Sequence, residues 1–366
     1  MIKRIQLQNF KSLQEVDIEL RPLNILMGLN SSGKSSLLQA LLLLYQSSEI
    51  NEGRLLLRGA TQELFNAGIA EDVYYRHATN NRIGITLHYA EVEQVLSWQF
   101  AYQPQHDNRN DYLQARETYT TELLNQTIYS QRLHYLQAER VGAKDGYPAS
   151  NYNVLIKKTL GITGEHTPYY LNQFGNTVVR NTFVQHPQAA SRRLIHQTIA
   201  WLNEISPNVG IVTSLNENRE TVELRFKYGD DSYKPKNVGF GLSYALPVIV
   251  ALLNAQPNQL LLIENPESHI HPKGQAAMGR LLALAEKSGA QLIIETHSDH
   301  IINGIRVAVR QQEVEPEKIA IFFHEQNNPP SSNTQISPIH VDINGQLSYE
   351  PANFLDEWQT QLYQLI

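Results

Sequence analysis

The chain has 366 residues, a formal net charge of −6 and no cysteine, which excludes disulfides, iron–sulfur clusters and thiolate zinc sites. Its acidic balance disfavours nucleic acid as a partner, because binding would need a local basic patch. No apolar run in the sequence, 40–44 included, approaches the ~20 residues that cross a bilayer. We therefore expect a cytoplasmic protein with no membrane partner.

Hydrophobic periodicity predicts two regions of strands and helices, separated by a polar stretch. The stretch 103–131 is rich in Asn, Gln and Tyr and cannot supply a strong core of its own. In chain order, the predicted elements are strands within 5–20, a strand at 23–27, a helix at 35–46, strands at 83–89 and 95–102, a helix at 192–204, strands at 210–214, 221–228 and 259–263, a helix at 274–287 with Pro272 at its start, a strand at 291–294, a helix at 299–311, a strand at 318–323 and a helix at 353–365. We expect an α/β fold with an N-terminal strand-rich lobe over 1–102, an inserted polar and helical arm or subdomain over 103–190, and a C-terminal lobe over 191–366.

A glycine-rich sequence follows the strand at 23–27. The residues from Gly28 to Ser35 fit the pattern G-x-x-x-x-G-K-[ST] between an apolar strand and an apolar helix. The glycines allow successive backbone N–H groups to turn toward a phosphate, and the helix N-terminus adds its positive end. Lys34 supplies a charge for the β- and γ-phosphates, and the Ser35 hydroxyl is the expected Mg²⁺ ligand. We predict an ATP site with the contact residues Asn30, Ser31, Ser32, Gly33, Lys34, Ser35 and Ser36.

Two later apolar strands end in polar residues. The strand at 259–263 leads into Glu264, which we predict to be the acidic Mg²⁺ ligand that a phosphate loop needs. The strand at 291–294 leads to His297, placed to reach a γ-phosphate or its attacking water. A metal site at the histidines is the alternative, but no cysteine or compact carboxylate set completes a coordination shell. The histidines in question are His269, His271, His297 and His300.

Three segments in this order, GLNSSGKSS, LLLIENPESHIHP and LIIETHSDHIING, resemble the phosphate loop, acidic strand and histidine switch of the ABC-type ATPases related to SMC, RecF and OLD proteins. The stretch 238–306 is similar in particular to stand-alone bacterial ATPases that carry a short C-terminal extension of unassigned function. The resemblance implies an ABC ATPase head, a P-loop NTPase fold with a mixed sheet. The resemblance is weaker between 103 and 190. In this stretch we predict for Arg140 only a polar contact near the site.

Such ATPases dimerise head to tail, and a signature segment of one subunit closes on the nucleotide of the other. The resemblance gives this role to 237–243, with Gly241 and Ser243 as candidate contacts. The sequence of this segment differs from the familiar LSGGQ motif, which leaves open whether Gly241 or Ser243 makes the contact. Because Pro247 cannot lie deep in a helix, we expect the helix to begin close to Ser243, capped by its side chain. A glycine turn that caps a buried helix is the alternative.

The largest departure from the family concerns catalysis. The Mg²⁺ carboxylate is usually followed by a glutamate that activates water, whereas Asn265 follows Glu264 here, and an amide cannot accept the proton. Either Glu267 substitutes as the base, or hydrolysis is slow and ATP mainly joins two subunits. We predict Glu267, His297 and Lys34 as the catalytic residues of a slow ATPase.

The resemblance implies a dimeric switch that ATP controls, in DNA repair or anti-phage defence. The alternative is a non-catalytic module, locked by ATP, that scaffolds a separate effector protein. No nuclease-like cluster of acidic residues follows residue 310, so we expect any effector to be another chain.

Overall fold

The structure is a computed structural model that describes residues 1–47, 49–59, 64–103, 106–107, 109–326, 334–351, 354 and 362–365. The chain forms two compact units. Unit 1 comprises 1–133, 319–340 and 348–366, and unit 2 comprises 134–318 and 341–347. This division differs from the predicted sequence domains 1–102, 103–190 and 191–366, which stay a prediction.

The strands and helices are as follows, in chain order. The strands are β1 (Ile2–Phe10), β2 (Leu13–Glu19), β3 (Leu23–Gly28), β4 (Arg54–Leu56), β5 (Arg82–Tyr89), β6 (Leu96–Ala101), β7 (Tyr112–Gln114), β8 (Arg132–Leu136), β9 (Tyr147–Pro148), β10 (Val209–Asn216), β11 (Thr221–Tyr228), β12 (Asp231–Tyr233), β13 (Gln259–Glu264), β14 (Gln291–Glu295), β15 (Ile319–Gln326) and β16 (Thr334–Ile339). The helices are α1 (Lys34–Gln46), α2 (Ala70–Val73), α3 (Thr121–Gln126), α4 (Thr167–Phe174), α5 (Leu194–Asn203), α6 (Phe240–Leu253), α7 (Pro272–Ala285) and α8 (Asp299–Arg310).

Unit 1 contains an antiparallel sheet and a second group of strands that pair in both parallel and antiparallel directions. The antiparallel sheet has the order β2-β1-β5-β6. Strand β15 runs parallel to β3 and antiparallel to β16, so both pairing modes occur side by side. Helix α1 follows β3, and its leucines are fully buried. A largely apolar strand and a largely apolar helix thus lie in the core, and the loop between them has a rigid support on both sides.

Unit 2 holds a parallel strand pair and an antiparallel sheet. Strands β13 and β14 are parallel, and Glu264 pairs in register with Glu295 at their carboxyl ends. Strand β11 pairs with β10, β12 and β9, all antiparallel. Val154 and Tyr169 pack with Val222 of β11 in a buried cluster. The segment before 190 therefore contributes apolar side chains to the core of this unit.

Most predicted elements are confirmed within a few residues. The predicted strand 221–228 is β11, and the predicted helix 299–311 is α8. Strands β8 and β16 and helix α4 were not predicted, because they are short and lie outside the stretches with clear periodicity. The predicted helix at 353–365 falls largely outside the described residues. Among the described helices, none is both long enough and apolar enough to cross a membrane.

Candidate functional site

The phosphate loop of unit 1 connects β3 to α1, and its two glycines are fixed by geometry. Gly28 has φ 139°, and a Cβ there would lie 2.1 Å from the carbonyl oxygen of His324. Gly33 has φ 82°, and a Cβ there would lie 2.4 Å from the Ser12 hydroxyl. Both the backbone angles and the close neighbours exclude a side chain. The loop therefore holds the shape that exposes N–H groups to a phosphate.

Lys34 begins α1 and lies across this loop. Its ammonium group donates to the carbonyl oxygens of Gly28, at 3.0 Å, and of Leu29, at 2.7 Å. Gly33 is the N-cap of α1 and has no side chain to cap the helix. Backbone N–H groups at such an end suit an anion, and the helix dipole favours negative charge there. The predicted contact residues 30–36 thus surround one helix N-terminus.

A buried histidine lies next to the loop. His324 of β15 pairs in register with Gly28 and is 0% exposed. Burial lowers its pKa to about 3, and the positive charge of Lys34 adds to the effect. Neither ring nitrogen has a hydrogen-bond partner among the described residues. His324 is therefore neutral at physiological pH, and it adds no charge beside Lys34.

In unit 2, Glu264 ends β13 with both carboxylate oxygens hydrogen-bonded. The Tyr135 hydroxyl donates to one oxygen at 2.9 Å, and the Ala138 N–H donates to the other at 3.0 Å. Burial raises the pKa of Tyr135, and the negative charge of Glu264 raises it further. The tyrosine hydroxyl therefore stays protonated and remains a donor to the carboxylate.

The turn after Glu264 is held through its backbone. Asn265 adopts a left-handed conformation with φ 43°, and its N–H donates to the Glu295 carbonyl at 2.8 Å. Arg140 donates to the carbonyls of Glu264, at 2.5 Å, and of Asn265, at 3.1 Å. Burial lowers the Arg140 pKa to about 10, while the charges of Glu267 and Glu264 oppose the shift. The guanidinium thus stays charged and fixes this turn.

Glu267 and His297 meet in the same region. One Glu267 oxygen accepts the His297 backbone N–H at 2.8 Å, and the His297 side chain is exposed. The other Glu267 oxygen is buried and has no hydrogen-bond partner within the described part of the chain. Unit 2 therefore brings together Glu264, Glu267 and His297, whereas Lys34 and Ser35 belong to unit 1.

The predicted signature helix begins earlier than expected. Helix α6 starts at Phe240 with Gly239 as N-cap, and Pro247 lies inside it. The prediction that Ser243 caps the helix is wrong, because Ser243 is the fourth helical residue and only 4% exposed. The helix continues through Pro247, which removes the N–H that would bond to the Ser243 carbonyl. Gly241 packs so closely that a Cβ there would lie 2.4 Å from the His269 carbonyl.

Two of the four histidines have clear local roles. The His271 side chain caps α7 by accepting the Lys273 N–H, and the His269 ring lies 4.5 Å from the Tyr244 ring, edge to face. These contacts account for the H-x-H sequence through helix capping and ring packing.

Three family models match the chain. One described as "AAA ATPase domain" matches 1–159, and one described as "AAA domain, putative AbiEii toxin, Type IV TA system" matches 122–303. A third, "Protein of unknown function (DUF3696)", matches 314–365, the part for which we expected a C-terminal extension. No curated protein sequence matches.

Two solved structures show the same fold. An SMC head bound to the C-winged helix domain of ScpA is 15% identical, with a TM-score of 0.59, and the match covers 93% of this chain and 98% of that one. An SMC head with an extended coiled coil, bound to the C-terminal domain of ScpA derived from Pyrococcus furiosus, is 14% identical with a TM-score of 0.54, covering 100% and 99%. The chain is an ATP-binding ATPase with the fold of an SMC head.

The ATPase binds nucleotide, and its carboxylate and hydroxyl groups fit the magnesium ion that accompanies ATP. Glu264 accepts one hydrogen bond at each oxygen, and a carboxylate oxygen has a second lone pair. Ser35 lies in the first turn of α1. Carboxylate and hydroxyl oxygens are the donors that Mg²⁺ takes. The side chains present are therefore compatible with the ion.

Sequence reasoning missed two residues of this ATPase, Tyr135 and His324, whereas the polar contact predicted for Arg140 is confirmed. Tyr135 contacts the acidic turn from more than 120 positions away in the chain. His324 lies opposite Gly28 only through strand pairing. The one signal in the sequence for His324 was its position as a polar residue directly after the apolar stretch 319–323.

Proposed function

We propose that this ATPase is a slow, dimeric switch that ATP and Mg²⁺ control, and that it acts in DNA repair or anti-phage defence. The observation that carries the proposal is the turn after Glu264. Asn265 occupies the position of the usual base, and Glu267 already accepts the His297 N–H with one oxygen. That hydrogen bond occupies one of the two carboxylate oxygens, and Glu267 stands two positions beyond the usual base. Water activation is therefore inefficient, and ATP persists long enough to hold two subunits together.

The roles of the residues follow from their chemistry. The phosphate loop binds the β- and γ-phosphates through backbone N–H groups and Lys34. Ser35 and Glu264 hold Mg²⁺, which supplies positive charge to the phosphates when it is bound. Glu267 accepts a proton from the attacking water through its second, buried oxygen. The exposed His297 side chain contacts the γ-phosphate or that water.

The N-terminus of α6 supports the dimer. Gly239 caps the helix without a side chain, and Phe240 next to it is 60% exposed. A single exposed ring does not by itself mark an interface, and we assign Phe240 to the dimer contact because it lies next to the helix N-terminus. In the proposed dimer, this end of α6 faces the nucleotide of the partner subunit. Ser243 is buried in the free chain, so we assign the contact to the backbone around Gly241.

The comparisons support a partner protein. One matching family model is described as a putative AbiEii toxin of a Type IV TA system, which favours the defence role over DNA repair. The similar SMC heads were solved with ScpA bound, and we propose a separate effector for this ATPase by analogy.

The dimer is tested by light scattering with and without ATP and Mg²⁺, on wild type and on Glu264→Gln. We expect monomers without nucleotide and dimers with it, and in Glu264→Gln a dimer that needs a higher Mg²⁺ concentration, because a ligand of the ion is lost. Glu223→Gln is the matched control, since Glu223 forms only a surface ion pair with Arg225. Monomers under every condition would remove the dimeric switch.

Asn265 also favours the second candidate, a non-catalytic module that ATP locks into a scaffold for an effector. Steady-state phosphate release separates the two functions. Release that depends on Lys34 supports the slow switch. Release at the rate of free ATP, with intact ATP recovered from the dimer, supports the scaffold.

A further inference from the structure

We propose that Tyr135 is a positioning residue that sets the affinity for Mg²⁺ by orienting Glu264. The proposal rests on the proposed function in one respect, the assignment of Glu264 as a Mg²⁺ ligand. Tyr135 lies in β8, outside the phosphate loop, the acidic strand and the histidine switch, and is 8% exposed.

The geometry fixes the Glu264 carboxylate at both of its oxygens. The Tyr135 hydroxyl bonds to Oε1 at 2.9 Å, and the Ala138 N–H bonds to Oε2 at 3.0 Å. One donor at each oxygen prevents rotation of the carboxylate plane. Each oxygen keeps its remaining lone-pair direction for a cation or its water.

The same short segment also fixes the backbone beneath this carboxylate. Arg140, two residues after Ala138, donates to the main-chain carbonyls of Glu264 and Asn265. Arg140 is 3% exposed, so these bonds are shielded from water. Residues 135–140 thus hold Glu264 at its side chain and at its main chain, which is the arrangement expected of a support for a metal ligand.

The chemistry of a phenol suits this task. A tyrosine hydroxyl donates a hydrogen bond without adding positive charge, so it orients the carboxylate without competing with Mg²⁺ as a cation would. Phenylalanine keeps the ring and its packing but removes the donor. The Tyr135→Phe variant therefore separates positioning from packing.

The experiment measures binding of a non-hydrolysable ATP analogue by calorimetry at a series of Mg²⁺ concentrations. For Tyr135→Phe we expect the half-saturating Mg²⁺ concentration to rise about 10-fold, within the usual range for lost support of a metal ligand. Affinity for the analogue without Mg²⁺ stays at the wild-type value, because the phosphate loop is unchanged. Steady-state turnover shows the same shift in Mg²⁺ dependence.

Tyr169→Phe is the matched control. Tyr169 is also buried, and its hydroxyl donates to the neutral Asn151 amide. This variant loses a similar hydroxyl, and we expect it to keep the wild-type Mg²⁺ dependence.

Three outcomes decide the matter. Wild-type Mg²⁺ dependence in Tyr135→Phe would show that the hydroxyl serves packing alone, and so would an equal shift in Tyr169→Phe. The double variant Tyr135→Phe with Glu264→Gln should show no shift beyond Glu264→Gln, since the two residues act as one unit. Failure of the proposed function is recognised separately, because wild type and Glu264→Gln would then respond alike to Mg²⁺.

Discussion

The phosphate loop and the turn after Glu264 are built in opposite ways. The loop is continuous in sequence from Gly28 to Ser35, and its shape follows from two glycines and the strand and helix beside them. The acidic turn is held by residues remote in sequence, because Tyr135, Ala138 and Arg140 supply its hydrogen bonds. The loop also matches its motif fully, whereas the turn carries Asn265 in place of the usual glutamate.

This difference in construction indicates which of the two regions can accept a substitution that alters the reaction. A loop whose backbone itself binds phosphate tolerates few substitutions, since a Cβ at Gly28 or Gly33 would overlap neighbouring atoms. A turn positioned from outside can exchange a side chain such as Asn265 and keep its backbone in place. We therefore expect binding of ATP to follow the family closely, and the rate of hydrolysis to depart from it.

The largest expected effect tests the loop. Lys34→Ala removes a charge directed at the β- and γ-phosphates, which should weaken binding by about 2 to 4 kcal/mol. Calorimetry with a non-hydrolysable ATP analogue measures the loss. Lys236→Ala is the control, because Lys236 forms only a surface ion pair with Asp145. Tight binding by Lys34→Ala would contradict the assignment of the phosphate loop.

The next effect tests the turn. If Glu267 substitutes as the base, Glu267→Gln should lower turnover by ~10²-fold with ATP binding intact. If the turn instead supports a slow clamp, Glu267→Gln changes little and Asn265→Glu raises turnover. Exposed Glu217 gives a control as Glu217→Gln. Brisk wild-type turnover that Glu267→Gln leaves unchanged would contradict both versions and require another base.

The smallest effect concerns the buried neighbour of the loop. The pKa of His324 is lowered to about 3, whereas an unfolded histidine titrates near ~6.5. Below pH ~6.5 the unfolded chain binds a proton that the folded chain does not. Keeping His324 neutral therefore costs no stability above that pH, and the free energy of unfolding falls as the pH drops below it. Between pH 7.5 and pH 5.5, the expected loss from His324 is about 1.4 kcal/mol.

Urea unfolding of wild type and His324→Phe at these two pH values measures this effect. The variant should lose less stability on acidification, because phenylalanine fills the site without a titrating group. An equal loss in both proteins would show that His324 does not limit stability in acid.

The two regions also differ in how far the sequence predicted them. Residues 28–35 were assigned from a local pattern, because the strand, loop and helix are adjacent in the chain. Glu264 and His297 were predicted as site residues because each lies at or just after the end of an apolar strand. Tyr135 and His324 were missed, since their positions depend on strand pairing and on contacts that no local periodicity encodes. The start of α6 was misplaced because Pro247 was read as a marker of the first turn, although a helix can continue through a proline.

The pairing of His324 with Gly28 has a consequence for biosynthesis. The strand that lies against the phosphate loop, β15, spans 319–326, and chains are synthesised from the N-terminus, so the loop leaves the ribosome before this strand. A nascent chain that ends before β15 carries the phosphate-loop sequence without the strand that pairs with β3. The surroundings of Gly28 are therefore completed only when β15 has been synthesised.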